Sequence, residues 1–356
     1  MELKCEGAPG LMRKIRFAQL LTLVLLVSWP VAVPAQETET QGLRTVSLNW
    51  ENDLFSGTDR DYTNGLKLTY SRPYRLGDGS GHGSRGWADD VMDAFPPTDD
   101  PFARRAVSYS LGQNIYTPED TRRSDLVEDD RPYAGYSYFG VGFHVREGSR
   151  RQVWEVDAGV VGPLSMGQEV QDFAHSVSGS SYAEGWKHQL NNEPTLEVIW
   201  EGRWRFWHKD LYGGMGFDLI PNLTAQAGNV AILAGTGVEV RLGWHLPENF
   251  GSCPIRQGCD LSGLDETASG GLPPLGFNIF ASVDGRMVLR DIFLDGNTFG
   301  HSHNVSKETF VGDLMTGVAM IYRGFRISYA FVFRTREFKE QSEAPSFGAI
   351  NMVFMF

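Results

Sequence analysis

The chain has 356 residues, and its 32 Lys and Arg stand against 44 Asp and Glu for a formal net charge of −12. That balance, without a basic block, excludes ordinary nucleic-acid binding. It also argues against simple charge attraction to anionic lipid, while leaving room for local arginine sites. Arg13, Lys14 and Arg16 precede an apolar run over 17–27, and Val33-Pro34-Ala35 offers small residues for cleavage. Residues 1–35 therefore read as a secretory signal peptide and 36–356 as one exported domain. Beyond the leader no stretch reaches the roughly 18 consecutive apolar residues of a membrane helix. Cys5 falls in the leader, and Cys253 and Cys259 frame CPIRQGC. In an oxidising compartment so close a pair reads as a small disulfide loop, and a metal site would need more ligands nearby.

The mature chain alternates. Over 45–51, Val46, Leu48 and Trp50 share one face, with Thr45, Ser47, Asn49 and Glu51 on the other. The pattern recurs at 62–71, 103–113, 135–146, 151–161, 193–205, 210–220, 235–245, 275–288, 308–321, 325–334 and 346–356, giving about twelve strands. Runs of roughly ten residues, apolar on one face and small or polar on the other, mark a transmembrane antiparallel β-barrel. A soluble sandwich alternates too, but its strands usually run nearer 5–6 residues. Ile350, Met352, Phe354 and Phe356 share a face of the last strand, which resembles the assembly signal of bacterial outer-membrane proteins. An even strand count puts both termini in the periplasm. The segments 55–61, 115–134, 162–192, 221–234, 291–307 and 337–345 are then expected outside, and 73–102, 147–150, 207–209, 247–274 and 323–324 inside. The cysteine loop is expected on the periplasmic side.

The outer segment 162–192 carries a helical signal. Ser165 with Gln168 suggests a capping box. Val170, Phe173, Ala174 and Val177 recur at helical spacing, and Gly179 offers a stop. Gln171 and His175, four apart, lie on one edge of that helix. A plug helix carrying a hydrogen-bonded surface histidine fits the same spacing.

The other polar clusters also fall at the outer ends of strands. They are Glu51-Asn52-Asp53, the run 59–65, Gln113 to Asp120 with Arg122 and Arg123, and Glu128 to Arg131. Carboxylate and amide oxygens from several loops suit a hard cation such as calcium, although solvated loop charges read the same way. Glu51-Asn52-Asp53, Asp61-Tyr62-Thr63-Asn64-Gly65, Gln113-Asn114-Ile115-Tyr116-Thr117-Pro118, Asp130-Arg131-Pro132-Tyr133-Ala134-Gly135 and Gly167 to His175 jointly resemble the lipid A 3′-O-deacylase family. The resemblance spans essentially the whole mature chain.

It implies a twelve-stranded outer-membrane barrel that removes the 3′-linked acyloxyacyl chain of lipid A in lipopolysaccharide. Its site would lie on the extracellular side, between the wall and a loop helix, and would require calcium. Carried over by motif, His175 is the catalytic base, with Gln171, Asn52 and Thr63 as catalytic neighbours and Asp53 as a calcium ligand. Arg123, with Arg122 beside it, replaces a family lysine that would meet a substrate phosphate, keeping the charge but not the geometry. No Gly-x-Ser-x-Gly elbow is present; a histidine activating water, with calcium polarising the carbonyl, needs none. Gln171 would orient His175, and Asn52 and Thr63 would position the carbonyl or complete the cation's shell. An outer-membrane phospholipase and a non-enzymatic porin-like barrel are the alternatives. The loop helix, and a strand count below the 16–18 of porins, favour an enzyme. A monomer is expected.

Overall fold

A strand whose side chains alternate in polarity puts one chemistry on each face of its sheet, and closing long strands into a ring turns the apolar face outward to lipid and the polar face to a sheltered interior. The computed structural model, which describes residues 43–53, 61–74, 103–252 and 275–356 with 91, 95, 98 and 100, closes such strands into a barrel. The leader (1–35), Cys253 and Cys259 lie outside the described residues. The strands are β1 (Thr45–Asn52), β2 (Asp61–Tyr74), β3 (Arg104–Thr117), β4 (Ala134–Glu147), β5 (Arg150–Val161), β6 (Glu193–Trp204) and β7 (Trp207–Asp210). They continue with β8 (Met215–Gly228), β9 (Ala231–Trp244), β10 (Gly276–Asp291), β11 (Phe310–Tyr322), β12 (Phe325–Arg334) and β13 (Ser346–Met355). Helix α1 (Gly167–Ser178) follows β5, and the single turn α2 (Ile292–Asp295) follows β10. No helix among the described residues is long and apolar enough to cross a membrane.

All pairings are antiparallel. The ring closes where β1 pairs with β13, from Thr45↔Met355 to Asn52↔Gly348, and where β6 pairs with β8. β7 continues β6 down the same partner after a break at Arg205 and Phe206: Arg203 faces Asn222 and Trp207 faces Leu219. The thirteen strand segments thus make twelve staves. The seventh and eighth differ from the sequence expectation. β8 runs through Pro221 to Gly228 and β9 starts at Ala231, so the expected outer loop 221–234 shrinks to a tight turn. Pro221 and Asn222 read as loop signals, yet Pro221 falls where the neighbouring stave breaks. Its missing N–H is tolerated there, as prolines are at bulges.

Apolar residues such as Leu66, Leu111, Ile279 and Phe333 stand exposed on the outward face. The interior is polar, as expected, and long charged side chains fill it in pairs. Lys67 donates to both carboxylate oxygens of Glu155, at 2.8 and 3.1 Å, with both side chains at most 2% exposed. Arg334 forks onto Asp313 at 2.6 Å through Nε and Nη2. Arg151 and Arg203 flank Glu201, and Arg241 meets Asp218.

At the end of the barrel where β9 finishes and β10 begins, the backbone of 249–252 lies among these groups. Arg203 donates to the carbonyls of Phe250 and Ser252 (3.0 and 2.8 Å), Arg241 to that of Asn249 (3.1 Å) and Arg326 to that of Gly251 (3.2 Å). Glu239 accepts the Ser252 amide at 2.9 Å. At the other end α2, capped by Asp291 accepting from the Phe293 amide, lays Phe293 on Tyr116 at 4.0 Å between ring centres. The described lumen is occupied at both ends.

Removing one member of a buried pair strands the other. Lys67→Met is expected to destabilise the barrel by about 3 kcal/mol or more. Lys67→Met/Glu155→Leu should recover most of that loss. Urea-unfolding midpoints in matched detergent would show whether the double variant sits nearer to wild type than the single one.

Candidate active site on the outer wall

Residue parity fixes which side of the wall the site occupies. Leu111 and Phe139 point outward, so Gln113 on β3 and Ser137 on β4, each two residues away, also face out. Both reach the segment that leads into α1. Gln113 donates through Nε2 to the Ser165 carbonyl at 2.7 Å and to the Ser137 hydroxyl at 3.2 Å. Ser137 donates to the same carbonyl at 2.8 Å. A Cβ added at Gly167 would lie 2.8 Å from the Gly135 Cα, so the two glycines let backbone rest on backbone. Helix α1 therefore clasps the outside of the rim over β3 and β4, rather than plugging the mouth.

The helix starts differently from the sequence expectation. Ser165 belongs to a 3₁₀ turn, Pro163–Ser165, and its hydroxyl bonds the Gly162 carbonyl at 2.6 Å. The cap of α1 is Met166, at φ 59°, with no side-chain cap. A methionine in the left-handed region is uncommon, and the bonds to the Ser165 carbonyl hold it there. Gly179, at φ 75°, closes the helix by donating its amide to the His175 carbonyl, as expected.

The faces of α1 are reversed relative to a soluble amphipathic helix. Gly167, Gln171 and His175, spaced by four, face the wall, with Gln171 2% and His175 5% exposed. Phe173 is 71% exposed, and Met166, Val170 and Val177 also stand out. Trp186 Nε1 donates to Gln171 Oε1 at 2.8 Å. An indole nitrogen can only donate, so the amide oxygen must face it. The buried Nε2 is left without a partner in the structure, aimed as a donor from the same helix face as His175. Trp186 itself packs with Ile115, Tyr133 and Ala183. Below the helix, Leu66, Leu68, Leu111, Gln113, Ser137 and Phe139 line an outward groove of about 500 Å³.

Asn52, Asp53 and Thr63 occupy the neighbouring rim of β1 and β2. Asn52 donates to Asn64 Oδ1 at 3.3 Å, and Trp50 Nε1 to the same oxygen at 3.0 Å. Asn64 pairs with Ile115, and Ile115 with Gly135. One ladder row thus leads from Asn52 to the glycine under α1, a span of about 14 Å at the usual strand spacing. The β2–β3 register shifts between Tyr62 and Asn64, which makes Thr63 the extra residue of a bulge, a common device beside functional sites.

Asp53 is buried just past β1. Its carboxylate and the Asn52 and Asn64 amides are oxygen donors of the kind a hard cation takes. No group of three His, Cys, Asp or Glu gathers among the described residues, so any cation here would also need amide, backbone or substrate oxygens. Arg122 and Arg123 are not brought to the groove. They lie exposed on the loop above, bonded to Asp120 and Asp125, and these bonds hold both carboxyls below the usual range. His188 is half-buried in the 3₁₀ turn Trp186–His188, past the end of α1.

A closed, filled barrel with an apolar outer belt and a helix clasped to its wall is an outer-membrane architecture. Residues 20–356 match the family model described as outer membrane protein LpxR, and the chain belongs to that family. No curated protein matches the chain in sequence. Among solved structures, LpxR from Salmonella typhimurium aligns with TM-score 0.69 and 23% identity over 88% of this chain and 100% of that one. The β domain of the Bordetella autotransporter BrkA gives 0.42 and 10% identity, covering 89% and 100%. The COG4313 outer membrane channel from Pseudomonas putida F1 gives 0.39 and 10%, covering 92% and 100%. The family match agrees with the motif resemblance, and the Salmonella structure shares the fold.

Trp186 and the Gln113–Ser137 clamp went unread in the sequence. Trp186→Phe keeps the ring packing but removes the donor to Gln171, leaving a buried acceptor at a cost of about 1–3 kcal/mol. The loop 162–192 should then be cut faster in limited proteolysis, while the barrel's heat-modifiable migration stays unchanged. Equal cleavage rates would mean that this bond does not hold the loop.

Proposed function

We propose that the chain is a lipid A deacylase that hydrolyses the 3′-linked acyloxyacyl ester at the outer face of its wall, with α1 and the rim of β1–β4 on the extracellular side. The observation that carries this reading is the reversed helix: a histidine and a glutamine turned toward the barrel exterior above an apolar groove, with the helix's own apolar side turned to the surroundings. A lipid ester arriving from the outer leaflet would meet a base without leaving the bilayer. A lumen filled at both ends gives no support to a porin-like role.

In this mechanism His175 takes a proton from a water molecule as the water oxygen attacks the ester carbonyl. The proton then passes to the departing sugar oxygen as the bond between it and the carbonyl carbon breaks, and the acyl chain leaves as a carboxylic acid that gives its proton to solvent. Gln171 Nε2, its orientation fixed by Trp186, donates to the carbonyl oxygen as negative charge develops there. Asn52, bonded to Asn64, and Thr63 at the bulge position the ester, and Asp53 is the residue that would hold calcium. When bound, calcium would supply Lewis-acid polarisation of the carbonyl. Arg122 and Arg123, free to exchange Asp120 and Asp125 for another anion, would meet a lipid A phosphate above the groove. An outer-membrane phospholipase would use the same groove, and substrate analysis separates the two.

Mass spectrometry of lipid A from cells with and without the protein should show loss of the 3′ acyloxyacyl chain; an unchanged profile would remove the reading. In purified protein His175→Ala should lose at least about a hundredfold in deacylation, with the barrel still heat-modifiable, and His188→Ala far less. The reverse ranking would move the base to the upper loop. Calcium is expected to raise the thermal unfolding midpoint of the wild type and not that of Asp53→Asn, and a chelator should abolish turnover reversibly. Full activity without metal would end the calcium proposal.

A further inference from the structure

The opposite wall carries a second recess. Thr236, Gly285 and Gly312 lie in one outward-facing row across β9, β10 and β11, each opposite the next. Thr335 extends the row, its hydroxyl accepting the Gly312 amide at 2.9 Å. Neither glycine has a positive φ. A Cβ at Gly285 would meet nothing within 4 Å, and at Gly312 only ordinary contacts at 3.7 Å. Their backbone does not require glycine, and what the missing side chains leave is a bare floor.

Large apolar residues edge that floor. Met287 and Phe310, paired across β10 and β11, stand on the rim side, and Val283 and Leu314 on the other. The recess is a shallow trough, open along its length, that offers about 800 Å³ of space. Glu308 and Arg336 line its outer end, where Arg336 is exposed and donates to the Ser342 carbonyl at 3.0 Å. The lining contains no histidine or cysteine.

The recess is continuous with the lipid-facing belt of an outer-membrane barrel, so hydrocarbon is what surrounds it. A gap left unfilled there would forfeit the dispersion contacts of its walls. At the rim end Glu308 and Arg336 stand together, and the exposed Arg336 guanidinium, bonded to a neutral carbonyl, is the group there that complements an anionic headgroup and sets the direction in which a lipid would lie. We propose that this recess is a non-catalytic binding site for one acyl chain of a phosphorylated glycolipid of the lipid A type, with Arg336 on a headgroup phosphate. This rests on the reading that lipid A surrounds the barrel, but not on its hydrolysis.

The test is native mass spectrometry of the full-length His175→Ala barrel in detergent with hexa-acylated lipid A added, counting lipids retained per barrel. The recess is expected to hold one lipid that His175→Ala/Gly285→Leu/Gly312→Leu loses, since leucine at those positions fills the floor without touching the groove under α1. Adding Arg336→Ala to His175→Ala should raise the half-saturating lipid concentration about fivefold, the factor of one basic residue at an anionic membrane surface. That variant carries the test alone if the leucine pair folds poorly on a heat-modifiability gel. Equal lipid counts and equal half-saturation in all variants would overturn the proposal. So would a barrel dimer lost in the leucine variant, which would make the occupant a second copy. Because the readout is bound mass, a barrel that never deacylates lipid A still reports on the recess.

Discussion

Charges in the lumen must be matched, and much of the molecule follows from that. An unpaired buried charge is costly, so arginines and lysines projecting inward come with carboxylates, as Lys67 does with Glu155 and Arg334 with Asp313. Where carboxylates are too few, backbone carbonyls serve. The strap 249–252 offers four of them to Arg203, Arg241 and Arg326. A lumen held in this way keeps only a cavity of about 130 Å³ among Lys67, Glu155 and Asp284, below the roughly 300 Å³ at which ligand pockets begin. The larger apolar surfaces of the barrel lie on the outside of the wall.

The outside brings the opposite difficulty. Polar side chains there face hydrocarbon unless something covers them, and α1 is the cover. Its glycine contact with Gly135 and the paired donors of Gln113 and Ser137 fix it close enough to bury Gln171 and His175. Its exposed Phe173, Val170 and Val177 match the apolar belt. The same clamp that hides the polar pair from lipid also confines it to the groove where a lipid ester would lie.

Strand identity was legible because period-two alternation is a local property with a physical cause. It failed at β8, where Pro221 and Asn222 carried the local signature of a loop. Only the break in the neighbouring stave, a tertiary fact, tells that a proline fits there. The helix was legible from its apolar spacing, and its stop from Gly179. Its start was not, since the true cap depends on a carbonyl held by residues from two distant strands. Sequence spacing put Gln171 beside His175, but could not say that Trp186 takes the glutamine's oxygen. The tryptophan stands fifteen residues away across an irregular segment. Arg122 and Arg123 illustrate the converse: the motif named them, and the fold leaves them above the groove, bonded to neighbouring carboxylates.

The seam between β1 and β13 joins residues far apart in the chain; Asn49 and Asn351, bonded across it, are 302 positions apart. Bringing such distant ends together costs on the order of 5 kcal/mol of loop-closure entropy relative to adjacent contacts, and the first ladder bonds must bear that alone. Until they form, β1 and β13 are two bare edges, each able to template a foreign strand. Assembly of this barrel is therefore a race between ring closure and edge-to-edge capture. Whatever shelters those two edges during insertion sets the yield of folded protein more than any single contact in the finished wall.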